Sequence, residues 1–338
     1  MQPSPTTKPT AKQPARTDGM AWIPGGTFLM GSDQHYPEEA AAHKVSVRGF
    51  WMDRYAVTNR DFQAFVEATD HVTLAEKPAD ASKYPGAKPE LLVPSSVMFQ
   101  KTPGPVDLRN PYQWWTYVAG ADWRHPRGPE SSLDGLSDHP VVHIAFEDAE
   151  AYARWAGKEL PTEAEWEFAA RGGLDGAEFA WGHEFMPNGK PMANTWQGRF
   201  PWENLLEDGH EWTAPVGAFP ANGFGLHEMT GNVWEWTVDY FQNHERVKKS
   251  CCTVDDPRGG SLEASYDPRT PEIRIARRVM KGGSYLCAPN YCRRYRPAAR
   301  MAQAEDTSTC HLGFRLIVRA DAPDDTVQVI APGDIGRK

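Results

Sequence analysis

The chain has 338 residues and a formal net charge of −9, so it lacks the positive excess that general nucleic-acid binding requires. Hydrophobic residues make up 40% and charged residues 24% of the chain, which is typical of a globular protein. No apolar run reaches the roughly 18 residues of a transmembrane helix, and we expect no membrane partner. With 29 glycines, 29 prolines and 13 tryptophans, the sequence predicts one large domain that is rich in loops and held by aromatic anchors.

The ends of the chain and its cysteines indicate the compartment. Residues 1–18 are rich in proline, threonine and lysine without the apolar segment of a secretory signal, so we predict a disordered tail there and a second tail at 321–338. The five cysteines are an odd number and include the adjacent pair Cys251 and Cys252, predicted to lie in a surface loop without a role. Such a set is not the disulfide framework of a secreted protein. We therefore expect a cytoplasmic protein, and a monomer.

Short regular elements alternate with loops along the chain. Alternating apolar residues predict strands at Trp22–Met30 and Lys44–Trp51. Three short helices are predicted: one starts at Thr58, one covers Phe146–Trp155, and one begins at the capping box of Thr162 and Glu165 and ends before Gly172.

The stretch 70–140 is long and has little periodicity, which usually marks a functional loop or one covered by other loops. It contains four large aromatic residues, Trp114, Trp115, Tyr117 and Trp123. They either line a peptide groove or anchor the core, and the core is favoured. His139 and His143 have the spacing of a metal-binding pair on a helix, but Pro140 disrupts a helix there, so both histidines are predicted to be structural.

Residues Lys281–Arg300 read KGGSYLCAPNYCRRYRPAAR and carry Cys287 and Cys292. The pair Gly282-Gly283 permits unusual backbone angles, and a turn is favoured between the cysteines, so the two thiols can meet. A thiol pair can form a disulfide, exchange with other thiols or bind a soft metal ion. Two sulfurs suit copper(I) better than zinc, which would lack two of its four ligands. On spacing alone, a small disulfide or two inert core thiols remain alternatives.

This stretch, together with CHLGFR at Cys310–Arg315, resembles the catalytic stretch of the formylglycine-generating enzymes, the sulfatase-modifying factors. Further matching segments are IPGGTFLMGS at Ile23–Ser32, LPTEAEWEFAARGG at Leu160–Gly173 and GNVWEW at Gly231–Trp236. The resemblance runs from about Trp22 to Val318. It implies an α+β, C-type-lectin-like formylglycine-generating enzyme fold with low regular secondary structure, in a catalytic domain of residues 19–320.

The resemblance also implies an activity: oxidation of a cysteine in a sulfatase C-x-P-x-R segment to Cα-formylglycine with molecular oxygen. Cys287 and Cys292 would hold copper(I), and the substrate thiolate would join as a third sulfur ligand. A Cβ hydrogen is then removed, and the resulting thioaldehyde hydrolyses. The resemblance assigns the oxygen pocket to Ser284, Tyr291 and Trp234, and its wall to Arg300 and to His311, where some relatives have Asn.

Two stretches rich in oxygen donors match the structural calcium sites of the family. The first set is Asn194, Thr195, Asp208 and His210, and the second set is Glu228, Gly231, Val233 and Glu235. The Asn, Asp and Glu side chains would bind the ion, and the other four residues would offer carbonyl oxygens. Relatives often carry Asn in place of Glu228. Ordinary turn capping by the same side chains is the alternative.

Two other functions remain open. The same fold serves as a non-catalytic, lectin-like binding module, and a metal-free dithiol oxidoreductase would cycle the two cysteines as a disulfide. The arginines that follow the cysteines are expected to pair with the acidic excess rather than to bind an anionic partner. The group that would bind the substrate's arginine cannot be named from the sequence.

Overall fold

The computed structural model describes residues 17–244 and 253–319. The predicted surface loop with Cys251 and Cys252 and nearly all of the two predicted tails lie outside these residues. Within them regular structure is sparse and mixed, with α-helices of 9 to 11 residues and strands of at most 7 residues. This agrees with the predicted α+β fold. No described helix is long and apolar enough to cross a membrane.

Three α-helices form where the sequence predicts them. They are α1 (Asn59–Thr69), α2 (Phe146–Ala156) and α3 (Glu163–Arg171). The capping box at α3 is confirmed, because Thr162 Oγ1 accepts the amide of Glu165 while the Glu165 carboxylate accepts the amide of Thr162 at 2.7 Å. Gly172 ends the helix at a φ of 56°, a left-handed conformation that favours glycine.

Within the described residues, short strands form four small sheets. The strands are β1 (Met20–Ile23), β2 (Gly26–Met30), β3 (His43–Val47), β4 (Phe50–Asp53), β5 (Ser95–Phe99), β6 (Trp115–Ala119), β7 (Trp234–Tyr240), β8 (Val254–Asp255), β9 (Arg277–Lys281), β10 (Arg300–Ala304), β11 (Leu312–Gly313) and β12 (Ile317–Val318). The sheets have the orders β1-β4-β12, β2-β3-β8, β5-β6 and β10-β9-β7-β11. The last sheet carries the functional segment at the end of β9.

The first two predicted strands are each broken in two, so the single-strand interpretation was wrong. Gly25 turns at a φ of 72°, and a Cβ placed there would lie 2.6 Å from the amide nitrogen of Gly49. The two glycine corners therefore pack directly against each other. The chain changes direction at this contact, so β1 and β2 belong to different sheets, and so do β3 and β4.

The long stretch 70–140 contributes both core and surface. Trp114 and Trp123 are fully buried, as favoured for these aromatic residues. Trp115 and Tyr117, on β6, instead line an open cavity beside the cysteine segment, and that a peptide binds along them stays a prediction. Trp114 and Trp123 lie just before and after β6, where the chain packs into the core, whereas Trp115 and Tyr117 lie on the strand itself.

Candidate active site

The cysteine segment closes on itself at a pair of glycines. Gly282 and Gly283 have φ values of 97° and 70°. A Cβ on Gly283 would lie 2.7 Å from the carbonyl oxygen of Arg294, so only glycine permits this approach. Residues 283–294 therefore form a closed loop at the end of β9.

Two backbone turns inside the loop bring the thiols together. The amide of Cys287 donates to the carbonyl of Ser284, and the amide of Cys292 donates to that of Ala288, each at 2.9 Å. The two sulfurs lie 3.1 Å apart, whereas a disulfide bond requires about 2.05 Å. Cys287 and Cys292 are only 2% and 9% exposed, and both are free thiols. The predicted meeting of the cysteines is confirmed, as a reduced pair.

The surroundings of the pair favour one thiol and one thiolate. Cys287 donates a hydrogen bond to Cys292, and this bond lowers the pKa of Cys292 to about 7. Burial opposes this shift, and the positive charge of Arg294 adds to it. Arg294 Nη1 lies 3.7 Å from Cys292 Sγ. Burial, and then the neighbouring thiolate, raise the pKa of Cys287 well above its usual value. The site therefore offers a soft anionic sulfur near neutral pH.

Both thiols border a cavity of about 460 Å³. Four of the five residues predicted for the pocket and its wall also line it: Ser284, Tyr291, Trp234 and His311. The ring of Tyr291 stacks on Phe200 at a centroid distance of 4.5 Å, and His311 packs against Trp115 at 4.9 Å. The cavity is thus an aromatic-walled space with two thiols exposed to it.

Ser284 and His311 form a hydrogen-bonded pair in this wall. The distance between Ser284 Oγ and His311 Nδ1 is 2.8 Å. Burial, with a smaller effect of His143, lowers the pKa of His311 to about 3, so the imidazole is neutral at physiological pH. The pair fixes the position of the serine hydroxyl without placing a charge near the thiols.

The predicted role of Arg300 in the cavity wall is corrected by the structure. Its Nε and Nη2 donate to the two carboxylate oxygens of Glu163 at 2.6 and 2.7 Å, and Nη1 donates to the carbonyl of Gln242 at 2.9 Å. Arg300 does not line the cavity. A buried guanidinium requires a carboxylate and carbonyl partners, and the aromatic cavity provides neither.

The other arginines of the basic run also pair with acids. Arg293 contacts Glu178, Arg294 contacts Glu38, and Arg296 contacts Glu39. This confirms the predicted salt bridges. Arg294 differs from the others because it also reaches the Cys292 sulfur.

Several other sequence expectations are settled by contacts. Cys310 Sγ accepts the amide of Phe99 at 3.3 Å and does not line the cavity, so the third cysteine of the described residues stands apart from the pair. His143 bonds through its two ring nitrogens to Ser96 and to the carbonyl of Pro126, and His139 contacts Thr213, which confirms their structural reading.

Sequence reasoning did not assign Arg294 or Phe200 to the site, and it gave Trp115 only as a less favoured groove residue. The position of Arg294 two residues after Cys292 was the only available signal, and the basic run around it concealed that signal. Phe200 lies in a segment with no mark beyond the family match. Its position beside Tyr291 depends on contacts between segments about ninety residues apart, as in the hydrogen bond from Asn290 Nδ2 to the Phe200 carbonyl.

The donor atoms fit copper(I) and one of the two calcium sets. Within the ranges 17–244 and 253–319, no group of three or more His, Cys, Asp or Glu side chains converges as a metal site, so the two thiols stand as a pair. Soft sulfur donors of this kind select copper(I). In the first calcium set Asn194 Oδ1 is buried without a hydrogen-bond partner, and Asp208 Oδ2 lies 3.0 Å from the Thr195 amide. Asp208 Oδ1 accepts the amide of His210, and Oδ2 also accepts Gln197 Nε2 at 2.7 Å, so Thr195, Asp208 and His210 meet around a carboxylate that is itself engaged.

The second calcium set does not fit an ion in this arrangement. Both carboxylate oxygens of Glu235 are engaged by Arg315, and one also accepts the indole N–H of Trp166. The Glu228 carboxylate accepts the amides of Gly217 and Phe219 at 2.9 and 3.0 Å. Neither carboxylate is free to join the carbonyls of Gly231 and Val233, and the capping alternative describes Glu228.

Comparisons with known proteins agree with the fold and with the family resemblance. The family model of the sulfatase-modifying factor enzyme 1-like domain matches residues 5–320. The chain is 52% identical over 298 residues to the formylglycine-generating enzyme of Mycobacterium tuberculosis, covering 87% of this chain and 96% of that protein. It is 35% identical to the inactive C-alpha-formylglycine-generating enzyme 2 of Mus musculus, covering 92% of this chain and 89% of that protein.

A solved structure supports the fold separately. The structure of PvdO from Pseudomonas aeruginosa aligns with a TM-score of 0.59 at 22% identity, covering 89% of this chain and 94% of that one. The predicted fold class is thereby confirmed. Because the family model spans most of the chain and the sequence identity extends over nearly the whole mycobacterial relative, this chain belongs to the sulfatase-modifying factor, or formylglycine-generating enzyme, family.

Proposed function

We propose that this protein is an enzyme that oxidises the cysteine of a sulfatase C-x-P-x-R segment to Cα-formylglycine. One observation carries the proposal: Cys287 and Cys292 form a reduced pair, 3.1 Å apart, at the edge of a cavity in a chain that is closely similar to a formylglycine-generating enzyme. The substrate is a flexible peptide segment that enters with its thiol first. The reaction consumes one O2 and two electrons from an external thiol reductant, and it releases sulfide and water.

The two thiols would hold copper(I), and the lowered pKa of Cys292 favours this because metal ligation requires a thiolate. When bound, copper would supply the one-electron chemistry that lets oxygen attack the substrate's Cβ–H bond. The cavity leaves the sulfurs accessible from one side, where the substrate thiol would arrive.

The remaining cavity residues would position the substrate and exclude water. Trp234, which is 1% exposed, closes the cavity on the side of β7. The Ser284 hydroxyl is oriented by neutral His311. Burial first, and then the two nearby cysteines, raise the pKa of Tyr291 to about 12, so its phenol stays protonated and can donate a hydrogen bond into the cavity.

A structural calcium ion at the first set is a second part of the proposal. The orphaned Asn194 Oδ1 and the Asp208 carboxylate are hard oxygen donors of the kind that calcium binds. A bound ion would hold the loop around Thr195 to the loop around Asp208. The cytoplasmic location also remains a prediction, compatible with the three described cysteines, which are all free thiols.

Two rivals predict different behaviour of the same site. A metal-free dithiol oxidoreductase needs the two cysteines but no copper. A binding module needs neither, and the similarity to a relative named inactive shows that family membership alone does not establish turnover.

The test is an aerobic reaction of copper-loaded protein with a C-x-P-x-R peptide, followed by mass spectrometry. We expect the product in which CH=O replaces CH2–SH, and no change in the matching serine peptide. The activity of Cys287→Ser and of Cys292→Ser should each fall by more than about a hundredfold. Loss of a residue that only supports a metal ligand already costs up to about a hundredfold, and these cysteines would be the ligands themselves. Both should also bind copper(I) more weakly.

Cys310→Ser is the matched control, since this thiol is equally buried but bonds to Phe99 outside the cavity. It should keep most activity and copper affinity. Full activity under a copper(I) chelator would favour the oxidoreductase and reject copper, and an active single mutant of the pair would reject the site.

A further inference from the structure

The guanidinium of Arg294 bridges a carboxylate and a thiol sulfur. Its Nε and Nη2 donate to Glu38 Oε1, Nε at 3.2 Å, while Nη1 faces the Cys292 sulfur at 3.7 Å. Within the described parts of the chain, 17–244 and 253–319, Nη1 has no other acceptor. One edge of the guanidinium is therefore used by the protein, and the other is directed at the thiol pair.

Arg294 is also the only Lys, Arg, Asp or Glu among the described residues that line the cavity beside the thiols. Two thiolates that hold one copper(I) ion carry a net charge of −1, and a negative charge between aromatic walls is costly unless a partner balances it. The Arg294 side chain is only 19% exposed, so its attraction to such a charge is screened less than it would be in bulk water.

A short segment near the start of the domain, 36–39, contacts each of the four arginines that follow the cysteines. Tyr36 Oη accepts the amide of Arg293 at 3.0 Å, the Glu38 carboxylate pairs with Arg294, the Glu38 carbonyl accepts Arg300 Nη1 at 3.1 Å, and Glu39 accepts Arg296 Nη1 at 2.8 Å. A segment more than 250 residues away thus fixes the part of the chain that follows the thiols.

Within this segment, Tyr36 and Glu38 hold the Arg294 side chain from two directions. The guanidinium carbon lies 3.9 Å from the centroid of the Tyr36 ring, which is a cation–π contact. Glu38 is held in turn because the next residue, Glu39, is fully buried and paired with Arg296. Arg294 cannot turn away from the sulfur without losing both the ring and the carboxylate.

We propose that Arg294 is a charge-balancing residue of the metal site, and that Tyr36 and Glu38 are the positioning residues that direct its guanidinium at the Cys292 sulfur. This inference rests on the proposed function for the copper(I) ion that the thiols would hold. A lysine would carry the same charge, but it lacks the planar group that can meet a carboxylate along one edge and the sulfur along another.

The test is the copper(I) affinity of the full chain, measured without oxygen by competition with a chromophoric copper(I) chelator. Arg294→Met should bind copper(I) about tenfold to a hundredfold more weakly than wild type, the range for a hydrogen bond that involves a charged group. Arg294→Lys should recover part of the loss. Arg293→Met is the matched control, since it removes the same charge one residue away from a side chain that pairs with Glu178, and it should keep the wild-type affinity.

Mercury(II) separates the effect of charge from a distorted thiol pair. It is a soft ion that two thiolates also bind, but the resulting unit is neutral, so it needs no balancing cation. The loss in Arg294→Met should therefore be large for copper(I) and small for mercury(II). Equal losses for the two ions would mean that Arg294 only shapes the loop, and they would overturn the proposal.

The positioning residues are tested in two backgrounds. Tyr36→Leu and Glu38→Ala should each weaken copper(I) binding in the wild-type chain and have almost no further effect in Arg294→Met, because they act through the same guanidinium. Melting curves show that each variant is folded. If Glu38→Ala binds copper(I) more tightly, Glu38 only competes with the sulfur for Arg294, and its positioning role is rejected.

Two further outcomes distinguish this inference from the proposed function. If wild type binds copper(I) tightly and folded Arg294→Met binds it equally tightly, the inference fails while the proposed function stands. If wild type binds copper(I) no more tightly than Cys287→Ser does, both are overturned.

Discussion

The two halves of the cysteine segment, Lys281–Arg300, differ in how far their polar side chains are paired with other groups of the protein. In the first half, Cys287 and Cys292 have few partners and border a cavity. In the second half, Arg296 and Arg300 turn into the interior, where each guanidinium meets a buried carboxylate. The same twenty residues thus contain a thiol pair that borders a cavity and buried arginines whose charges are neutralised by carboxylates.

The difference shows that a polar side chain whose hydrogen-bonding groups are all used inside the protein is structural, whereas one with unused groups is available for function. Arg300 makes bonds to Glu163 and to two carbonyls, which leaves it no capacity for a substrate. Arg294 lies between the two behaviours, because it pairs with Glu38 and also approaches the Cys292 sulfur. The buried carboxylates fix the arginines that follow the cysteines, and these contacts keep the loop that carries the two thiols in place.

Removing a charge from the interior half should have the largest effect on stability. Arg300→Met leaves Glu163 buried beside a lost partner, and breaking one side of such a pair costs about 3–5 kcal/mol. Arg293→Met is the matched change on the exposed side, where side chains of the pair are 45% and 28% exposed and the expected cost is at most about 1 kcal/mol. Chemical denaturation measures both.

The activity of the same two variants sharpens the comparison. Because Arg300 lies outside the cavity, the fraction of Arg300→Met that folds should keep its specific activity with the C-x-P-x-R peptide. A variant that is as stable as wild type yet inactive would return Arg300 to the cavity wall and remove the distinction between the two halves.

A second prediction uses the buried histidine His143. Burial lowers its pKa from 6.5 to about 4, so between these values the unfolded chain binds a proton that the folded protein does not. The contribution of His143 to the free energy of unfolding is therefore fully present above about pH 6.5, and it falls by about 2–3 kcal/mol as the pH drops toward 4. His143→Asn tolerates the φ of 62° and should flatten the pH dependence of unfolding over that range.

His244 gives the necessary control for that slope. Burial also lowers its pKa to about 4, so the wild-type curve sums several histidines and His143→Asn should remove only a part. An unchanged slope in this variant would mean that His143 is not held neutral in the folded protein.

The sequence predicted what local chemistry determines. The capping box of Thr162, the glycine end of α3 and the turn between the cysteines depend on neighbours within a few residues. The family resemblance supplied the four cavity residues beside the thiols.

What the sequence did not predict depends on distant partners. Arg300 and Arg294 look alike in the printed chain, and only Glu163 and Glu38, which lie 137 and 256 residues away, decide which one approaches the sulfur. That Trp114 is fully buried while Trp115 borders the cavity likewise depends on distant contacts, such as the pairing of Trp115 with Phe99.

The two calcium sets repeat the comparison between occupied and open groups. In the second set, Glu235 is held by Arg315 and Glu228 by two amides. In the first set, Asn194 Oδ1 is buried and has no partner. Asp208 in the first set is engaged as well, by two amides and the Gln197 side chain. Among the described side chains of the two sets, Asn194 Oδ1 is therefore the one oxygen that a cation would satisfy.

The smallest expected effect is therefore a calcium response from the first set alone. An ion that binds only the folded chain stabilises it by mass action, so the melting temperature of metal-free protein should rise with added calcium, corresponding to about 1–2 kcal/mol at moderate saturation. Asp208→Asn keeps one of the two oxygens that accept backbone amides and loses the charge, so it should blunt the calcium response and also lower the metal-free melting temperature slightly. Glu228→Gln, in the set whose carboxylates are engaged, should leave the response unchanged. A response that survives in Asp208→Asn and disappears in Glu228→Gln would place the ion in the second set, and it would mean that an engaged carboxylate can still exchange its partners for a metal.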